Sequence, residues 1–258
     1  MSEELHDDFT IEAPGADEVG VVPWPLLLRS PLRGALGPLG SRLVSRVERS
    51  DNYHWIVLAT VLAGMFTVGF TITILAVSIP PIADDLGSTS ATLTWVITGP
   101  LLALGVVGPA FGKAGDLWGH RRMYLVGMGG AAVFAGLTAL AWSAPALIVF
   151  RTLGASAGAA AGPASMALIN SIFPRDRRVQ AMGWWSLVMA GGPVLGVVVG
   201  GPVVEAVGWR WIFAAQVPMT VAGFLVASAI LPETTRQARI AFDWRGALTL
   251  GAGVTGLL

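Results

Sequence analysis

Six apolar runs, each close to the length of one membrane crossing, constrain the fold of this chain more than any other feature. A bilayer core is crossed by about 20 residues of helix, and in lipid an open chain satisfies its backbone polar groups only as helix. The sequence therefore predicts an all-α membrane protein with six transmembrane helices in contact with a lipid bilayer. We predict spans at residues 55–79, 92–111, 122–142, 145–172, 181–204 and 210–231.

Composition supports lipid as the main solvent and excludes several classes of function. Hydrophobic residues make up 54% of the chain and charged residues only 12%, which leaves too little polar surface to cover a water-soluble globule. The net charge is zero and the basic residues are scattered, so we expect no nucleic-acid partner. Cysteine is absent and the three histidines lie outside the apolar runs, so we expect no metal site, no cofactor and no enzymatic activity.

We divide the chain into a membrane bundle at residues 55–231 and two flanking segments. Residues 1–54 form a predicted cytoplasmic tail, which is acidic over its first 28 residues and then basic. The basic part is either an interfacial segment on an anionic leaflet or a linker whose arginines only set the topology. Residues 232–258 form a predicted cytoplasmic linker and the start of a seventh helix near Trp244, which stops after about 14 residues and is too short to span.

The distribution of Lys and Arg predicts the orientation of the bundle. Fourteen of the sixteen basic residues lie in the tail and in the connectors that follow the second, fourth and sixth spans. Because basic connectors stay on the cytoplasmic side, we expect both ends of the bundle to face the cytoplasm. The chain is therefore expected to be a multi-pass protein of the cell membrane with a cytoplasmic N-terminus.

The connector between the second and third spans concentrates polar residues and glycines. Residues 112–123 read GKAGDLWGHRRM. Helix dipoles account for Lys113 and Asp116 but not for Arg121 and Arg122, which lie at the start of a helix, where cations are mildly unfavourable. Topology accounts for the positive charge, but it requires neither the repeated glycines nor the acid among the bases.

This stretch resembles the signature motif between spans 2 and 3 of the major facilitator superfamily, which here is carried by Gly112, Asp116, Gly119, Arg121 and Arg122. Arg151 falls where that family has its span 4 arginine. The family's span 5 glycine pattern, typical of antiporters, is matched by Gly192, Gly196, Gly200 and Gly201. The phrases at 208–213, 231–233 and 242–244 look most like the fourteen-span drug:proton antiporter branch.

The resemblance implies the N-terminal half of the major facilitator fold, built as two three-helix repeats and followed by the start of a seventh helix. It also implies a transporter that exports small organic or drug-like molecules, lipophilic or cationic, by alternating access, with proton coupling as a further possibility. The protein partner is then a second half or a second copy of the chain. Asp116, Arg121 and Arg122 are expected to form a conformational latch between the cytoplasmic ends of the two halves.

Two positions inside the spans are candidates for the cavity and for coupling. Thr71 occupies the place of the acid in the family's first span, and threonine cannot titrate at physiological pH. Arg151 lies about 10 Å inside the fourth span by helix rise, and it is either an anchor that lines a cavity or an arginine that snorkels to the headgroups. The span 5 glycines likewise form either a close-packing face or a face that slides during transport.

A second class of function stays open. The missing span 1 acid and the end of the sequence within the seventh helix favour a truncated or degenerate six-span membrane protein without transport activity, acting as a scaffold, partner or sensor. The complete charged motif favours a transporter instead. A membrane enzyme is disfavoured, because the spans contain no acid pairs, histidine or cysteine that could carry catalysis.

Overall fold

A computed structural model of the chain describes residues 47, 49, 50, 52–232, 249 and 253. Nearly all of the predicted tail and the predicted seventh helix therefore lie outside the described residues. Between residues 52 and 232 the chain is helical with short connections. The helices there are α1 (Tyr53–Ile74), α2 (Ile79–Asp85), α3 (Ser90–Leu93), α4 (Trp95–Trp118), α5 (His120–Ala139), α6 (Ala144–Gly158), α7 (Ala161–Ile172), α8 (Arg175–Val207) and α9 (Trp209–Ile230).

Six segments of the described chain are long and apolar enough to cross a membrane, which confirms the predicted number of spans. The second span joins α3 and α4 over Ser90–Trp118, and the fourth joins α6 and α7 over Ala144–Ile172. The first, third, fifth and sixth spans are α1, α5, α8 and α9. The short helix α2 lies in the connector between the first and second spans.

Proline ends the first span earlier than hydropathy predicts. The apolar run extends to residue 79, but α1 ends at Ile74. Pro80 and Pro81 have no N–H to donate to the carbonyls four residues before them, so the helix cannot continue through them. They lie instead in the first turn of α2, where a backbone donor is not needed.

The fourth span is interrupted for a similar reason. Its apolar run predicts one helix, but the structure has a break between Gly158 and Ala161. Pro163 cannot donate to the carbonyl of Ala159. The N–H of Ala160 bonds the carbonyl of Ala157, three residues earlier, at 3.2 Å, which is the residue spacing of a tighter turn. The break places small residues in the middle of the span.

The composition of the charged stretch between the second and third spans suggests a loop. In the structure this stretch is instead two helix ends that meet at one residue. Helix α4 continues to Trp118 and α5 begins at His120, so Gly119 alone separates them. Gly119 has a φ of 97°, in a region that glycine reaches without a steric penalty. The polar side chains of the motif are therefore held on the ends of two rigid helices.

The packing of the first three spans is repeated in the last three. The first span packs against the fifth, and in the same way the fourth packs against the second. The first span also packs against the sixth, and the fourth packs against the third. The third and sixth spans pack against each other. Exchanging spans 1, 2 and 3 with spans 4, 5 and 6 leaves these contacts unchanged, as expected for two three-helix repeats.

Two clusters of buried side chains fill opposite ends of this bundle. The cluster at the Tyr53 end includes Tyr124 and Phe173, and Tyr124 donates a hydrogen bond to the carbonyl of Val61 at 3.0 Å. The cluster at the Trp209 end includes Phe213, which is fully buried. Between the two clusters the helices are separated by a cavity.

Candidate functional site

A cavity of about 270 Å³ lies in the middle of the bundle and is lined by every span. Its walls are mostly apolar, and the fourth span contributes several glycines and alanines whose small size leaves the space open. Cavities of this kind, with a few polar groups among apolar walls, are the usual form of small-molecule sites. One lining residue from each span, in order, is Ile72, Leu104, Phe134, Arg151, Met189 and Gln216.

Arg151 is the charged residue of this cavity. It lies in α6, and its Nη2 donates a hydrogen bond to the carbonyl of Thr71 at 3.5 Å. Its guanidinium lies over the ring of Phe213, 5.2 Å from the ring centre, which gives a cation–π contact. Of the two interpretations of Arg151, the structure supports a residue that lines the cavity over one that snorkels to the headgroups.

Two polar atoms at this cavity have no hydrogen-bond partner among the described residues. They are the Nε of Arg151 and the Oε1 of Gln216, both buried. The whole Gln216 side chain is buried, with the residue only 6% exposed. Gln216 was not among the site residues predicted from the sequence, although an amide in the middle of the sixth apolar run is a visible signal of a polar site.

Thr71 does not line the cavity. It is buried in α1, and its hydroxyl donates to the carbonyl of Thr67 at 2.6 Å within the same helix. Its carbonyl, rather than its side chain, contacts Arg151. The threonine that replaces the family acid therefore reaches the cavity only through its main chain.

The five residues of the signature motif are not brought together into one ion-pair cluster. Asp116 lies 3.5 Å from the Nε2 of His120, one helical turn away, and its side chain is 39% exposed. Arg122 is exposed. Arg121 is instead buried, and its Nη2 donates to the carbonyl of Ser228 in the sixth span at 2.6 Å.

The glycines of the motif are not equally constrained. Gly112 lies beside Pro163, where an added Cβ would make only ordinary contact at 3.7 Å. Gly119 needs its positive φ. Gly115 was not among the predicted site residues, but an added Cβ there would lie 2.5 Å from the Nδ1 of His120. Close packing of the two helix ends therefore depends on Gly115 and Gly119 more than on Gly112.

A second arginine occupies the equivalent place in the second repeat. Gly208 has a φ of 83° and separates α8 from α9, as Gly119 separates α4 from α5. Arg210, two residues later, donates to the carbonyl of Ala141 at 3.1 Å and pairs with Asp85. The hydrogen bond from Arg210 lowers the pKa of Asp85 from its ordinary value, and a hydrogen bond from the indole of Trp209 acts in the same direction.

Three of the four predicted glycines of the fifth span pack against the first span. An added Cβ at Gly196 would lie 2.5 Å from the carbonyl oxygen of Phe70, one at Gly200 would lie 2.7 Å from Ile74, and Gly192 also faces this helix. Gly201 has no neighbour within 4 Å of an added Cβ, so it does not belong to this packing face. The hydroxyl of Thr73 donates to the carbonyl of Pro193 at 2.8 Å across the same interface.

The comparison with known families decides the assignment. A family model described as Major Facilitator Superfamily matches residues 61–255. The chain belongs to the major facilitator superfamily.

Within the described residues no cluster of three or more His, Cys, Asp or Glu could hold a metal ion.

Several curated major facilitator proteins are similar to this chain. The tetracenomycin C resistance and export protein of Streptomyces glaucescens is 34% identical over 201 residues, which are 78% of this chain and 37% of that protein. The puromycin resistance protein of Streptomyces alboniger is 32% identical over 205 residues, which are 79% of this chain and 40% of that protein. The chain thus spans less than half the length of these relatives, which are named for resistance and export and not for enzymatic activity.

Solved structures of this superfamily share the fold. A proton:xylose symporter superposes with a TM-score of 0.60 at 14% sequence identity, over 80% of this chain and 49% of the symporter. The human organic anion transporter superposes with a TM-score of 0.58 at 19% identity, over 76% of this chain and 53% of that transporter. The six spans therefore correspond to about half of a major facilitator transporter, as the resemblance implied.

Proposed function

We propose that this chain is the N-terminal half of an exporter that moves small organic molecules out of the cytoplasm by alternating access. The observation that carries the proposal is the central cavity, which every span lines and which holds the buried Arg151. A cavity assembled from two repeats, with its polar groups near the middle of the spans, fits a substrate site in a transporter of this type. The relative named for tetracenomycin C resistance and export supports the direction of transport.

The partner of this half is a second half of the same polypeptide or a second copy of the chain. Asp116 and Arg122 are available for contact with it, since the first is partly exposed and the second is exposed. Arg121 is committed to Ser228 within its own half. We therefore propose that the latch between halves uses Asp116 and Arg122, while Arg121 holds the end of the third span in place. Gly112, beside Pro163, has no required role in the latch.

Proton coupling needs an ionisable group whose proton affinity differs between the two open states. In the described part of the chain, no residue that lines the cavity is Asp, Glu or His. Thr71 cannot supply the proton, because a threonine hydroxyl does not titrate at physiological pH. We propose that coupling, where it operates, uses an acid outside this cavity lining.

The proposed orientation of the bundle in the membrane follows from the distribution of positive charge. The Tyr53 end of the bundle carries Lys113, Arg121 and Arg122, as well as the connector that begins α8. Basic connectors stay in the cytoplasm, so we place this end inside the cell. The cavity then opens to the cytoplasm when the latch is broken.

An efflux measurement separates the transporter from the six-span scaffold. The natural full-length protein is purified, its intact mass is measured, and it is reconstituted in liposomes loaded with 2-naphthoate, 2-naphthamide or 2-naphthylmethylamine. Gradient-driven export of any one of the three, above that of protein-free liposomes loaded with the same probe, supports the proposal. A natural polypeptide of 26.8 kDa that stays monomeric and exports none of the three contradicts it and favours the scaffold.

A further inference from the structure

The central cavity carries one positive charge and no negative charge among its described lining residues. Arg151 is the ionisable residue of that lining. A charge inside a span is unfavourable unless it is compensated. The contacts that it makes here are the Thr71 carbonyl at 3.5 Å and the Phe213 ring at 5.2 Å. Neither contact is an anion, so the charge of Arg151 has no counter-ion among the described residues.

The cavity also presents one free donor and one free acceptor. The Nε–H of Arg151 and the Oε1 of Gln216 are buried and have no partner in the part of the chain that the structure describes. Buried polar groups are nearly always hydrogen-bonded, and leaving one unpaired is unfavourable. A ligand that accepts at Arg151 and donates at Gln216 would satisfy both.

The two groups face the same region of the cavity. The guanidinium of Arg151 lies over Phe213 on α9. Gln216 follows Phe213 by three residues on the same helix, and residues at that spacing share one helix face. Phe213, which Arg151 contacts, and Gln216 are thus about one helical turn apart, roughly 5 Å along the axis of α9.

The remaining walls suit an apolar body. Met65, Phe134, Phe150 and Met189 all line the cavity. Aromatic side chains and methionine sulfur pack favourably against ring systems. A flat, apolar ring system therefore fits the space between the polar pair and the opposite wall.

We propose that this cavity binds amphipathic organic acids, in which a carboxylate or phenolate on an apolar ring system accepts from Arg151 and a neighbouring O–H or N–H donates to Gln216. The proposal names the substrate class of the transporter and rests on the function proposed above. It departs from the cationic substrates implied by family resemblance. A cation in this cavity would face Arg151 without any acid to attract it.

Binding to the natural full-length protein in nanodiscs tests the substrate class. Equilibrium binding of 2-naphthoate, 2-naphthamide and 2-naphthylmethylamine is measured, and 3-hydroxy-2-naphthoate adds a donor next to the carboxylate. The expected affinity of the carboxylate is at least about tenfold higher than that of the protonated amine, because the carboxylate accepts a charge-assisted hydrogen bond from Arg151 whereas the ammonium is repelled by it. The hydroxy acid is expected to bind more tightly than 2-naphthoate.

Matched variants assign the preference to the two residues. Arg151→Met is expected to abolish the preference for the carboxylate and to leave binding of the neutral amide within about threefold, whereas Arg151→Lys keeps part of the preference. Gln216→Glu adds a negative charge that offsets the charge of Arg151 in the same cavity, and it is expected to remove the preference for the carboxylate. Arg177→Met and Gln180→Glu make the same chemical changes at exposed positions of α8 and are expected to change nothing.

The outcomes separate this inference from the proposed function. Equal or tighter binding of the amine in the wild type overturns the inference, as does the absence of saturable binding by all four probes. A carboxylate preference that survives Arg151→Met overturns it as well. Carboxylate binding without export of any probe supports the inference and contradicts the proposed transport. Export of the amine alone supports the proposed transport and contradicts the inference.

Discussion

Arg121 and Arg210 occupy equivalent places at the starts of the third and sixth spans, and each bonds a carbonyl near the end of the other span. Arg121 donates to Ser228 at 2.6 Å, and Arg210 donates to Ala141 at 3.1 Å. Each follows a positive-φ glycine by two residues. The last carbonyls of a helix carry partial negative charge, so each arginine stabilises the helix end of the opposite repeat. This explains Arg121, a cation at a helix start that the dipole argument left unexplained.

Replacing Arg121 should destabilise the bundle more than replacing its neighbour. Arg121→Met removes a buried hydrogen bond and leaves the Ser228 carbonyl without its donor, and we expect a loss of about 1–3 kcal/mol in the free energy of unfolding. Arg122→Met, at an exposed position, is the matched control and should change it little. Thermal unfolding in detergent measures both, and equal melting temperatures for the two variants would contradict the assignment.

The pair of Asp85 and Arg210 should make stability depend on pH. The pKa of Asp85 is lowered from its ordinary value of 3.8, so its contribution is present in full above pH 3.8 and is lost as the pH falls through the lower, folded-state value. Both side chains are more than 40% exposed, so we expect less than about 1 kcal/mol. The melting temperatures of wild type and Asp85→Asn should differ at pH 6, and the difference should shrink as the pH falls below 3.8.

The adjacent acid provides the control for this comparison. Asp84→Asn changes an exposed carboxylate that has no ion pair among the described residues, so it should not alter the pH dependence. High salt should reduce the effect of Asp85→Asn, because exposed charges are screened. A difference between wild type and Asp85→Asn that stays constant as the pH falls below 3.8 would contradict the assignment of the stabilisation to the charge of Asp85.

The span 5 glycines should differ sharply in their tolerance of a methyl group. Gly196→Ala places a Cβ against the backbone of Phe70, and we expect a loss of about 1–3 kcal/mol from overpacking. Gly201→Ala meets open space and should be neutral or stabilising by up to about 1 kcal/mol, since alanine favours helix. Thermal unfolding decides, and similar losses at both positions would contradict the packing described for the first and fifth spans.

The latch proposal predicts a transport defect without a folding defect. Asp116→Asn removes the charge of a partly exposed acid near the C-terminal end of α4, so we expect export from the full-length protein to be lost while membrane insertion and yield stay normal. Asp176→Asn changes a more exposed acid at the start of α8 and serves as the control. Export by Asp116→Asn at the wild-type rate, at matched expression, would rule out the latch.

Hydropathy predicted the six spans because a helix in lipid needs a long uninterrupted apolar run, and each run here has that length. It placed the ends poorly where proline or glycine decides them, as at Ile74 and Gly119. Residues on one helix face recur every three or four positions. That rule separates Gly201 from Gly192, Gly196 and Gly200, and it could have been applied to the sequence.

The partners of the polar residues could not be predicted in the same way. Arg121 bonds a main-chain carbonyl 107 residues away, and every residue has such a carbonyl, so the sequence carries no signal for it. The cavity position of Arg151 depends on the break in the fourth span and on its contact with Phe213. The part played by Gln216 emerges only when two unpaired atoms are found at one cavity.

The most direct test of the cavity as the transport site is to fill it. Gly108 lines the cavity, and an added Cβ there has no neighbour within 4 Å, so Gly108→Leu should occupy the space without disturbing the fold. Gly183→Leu makes the same change at an exposed position of α8 that is equally open. Export of the naphthalene probe best transported by the wild type should fall at least about fivefold in Gly108→Leu, since a blocked cavity loses its bound substrate, and should stay normal in Gly183→Leu. Equal export by both variants, at matched folding and expression, would contradict the account.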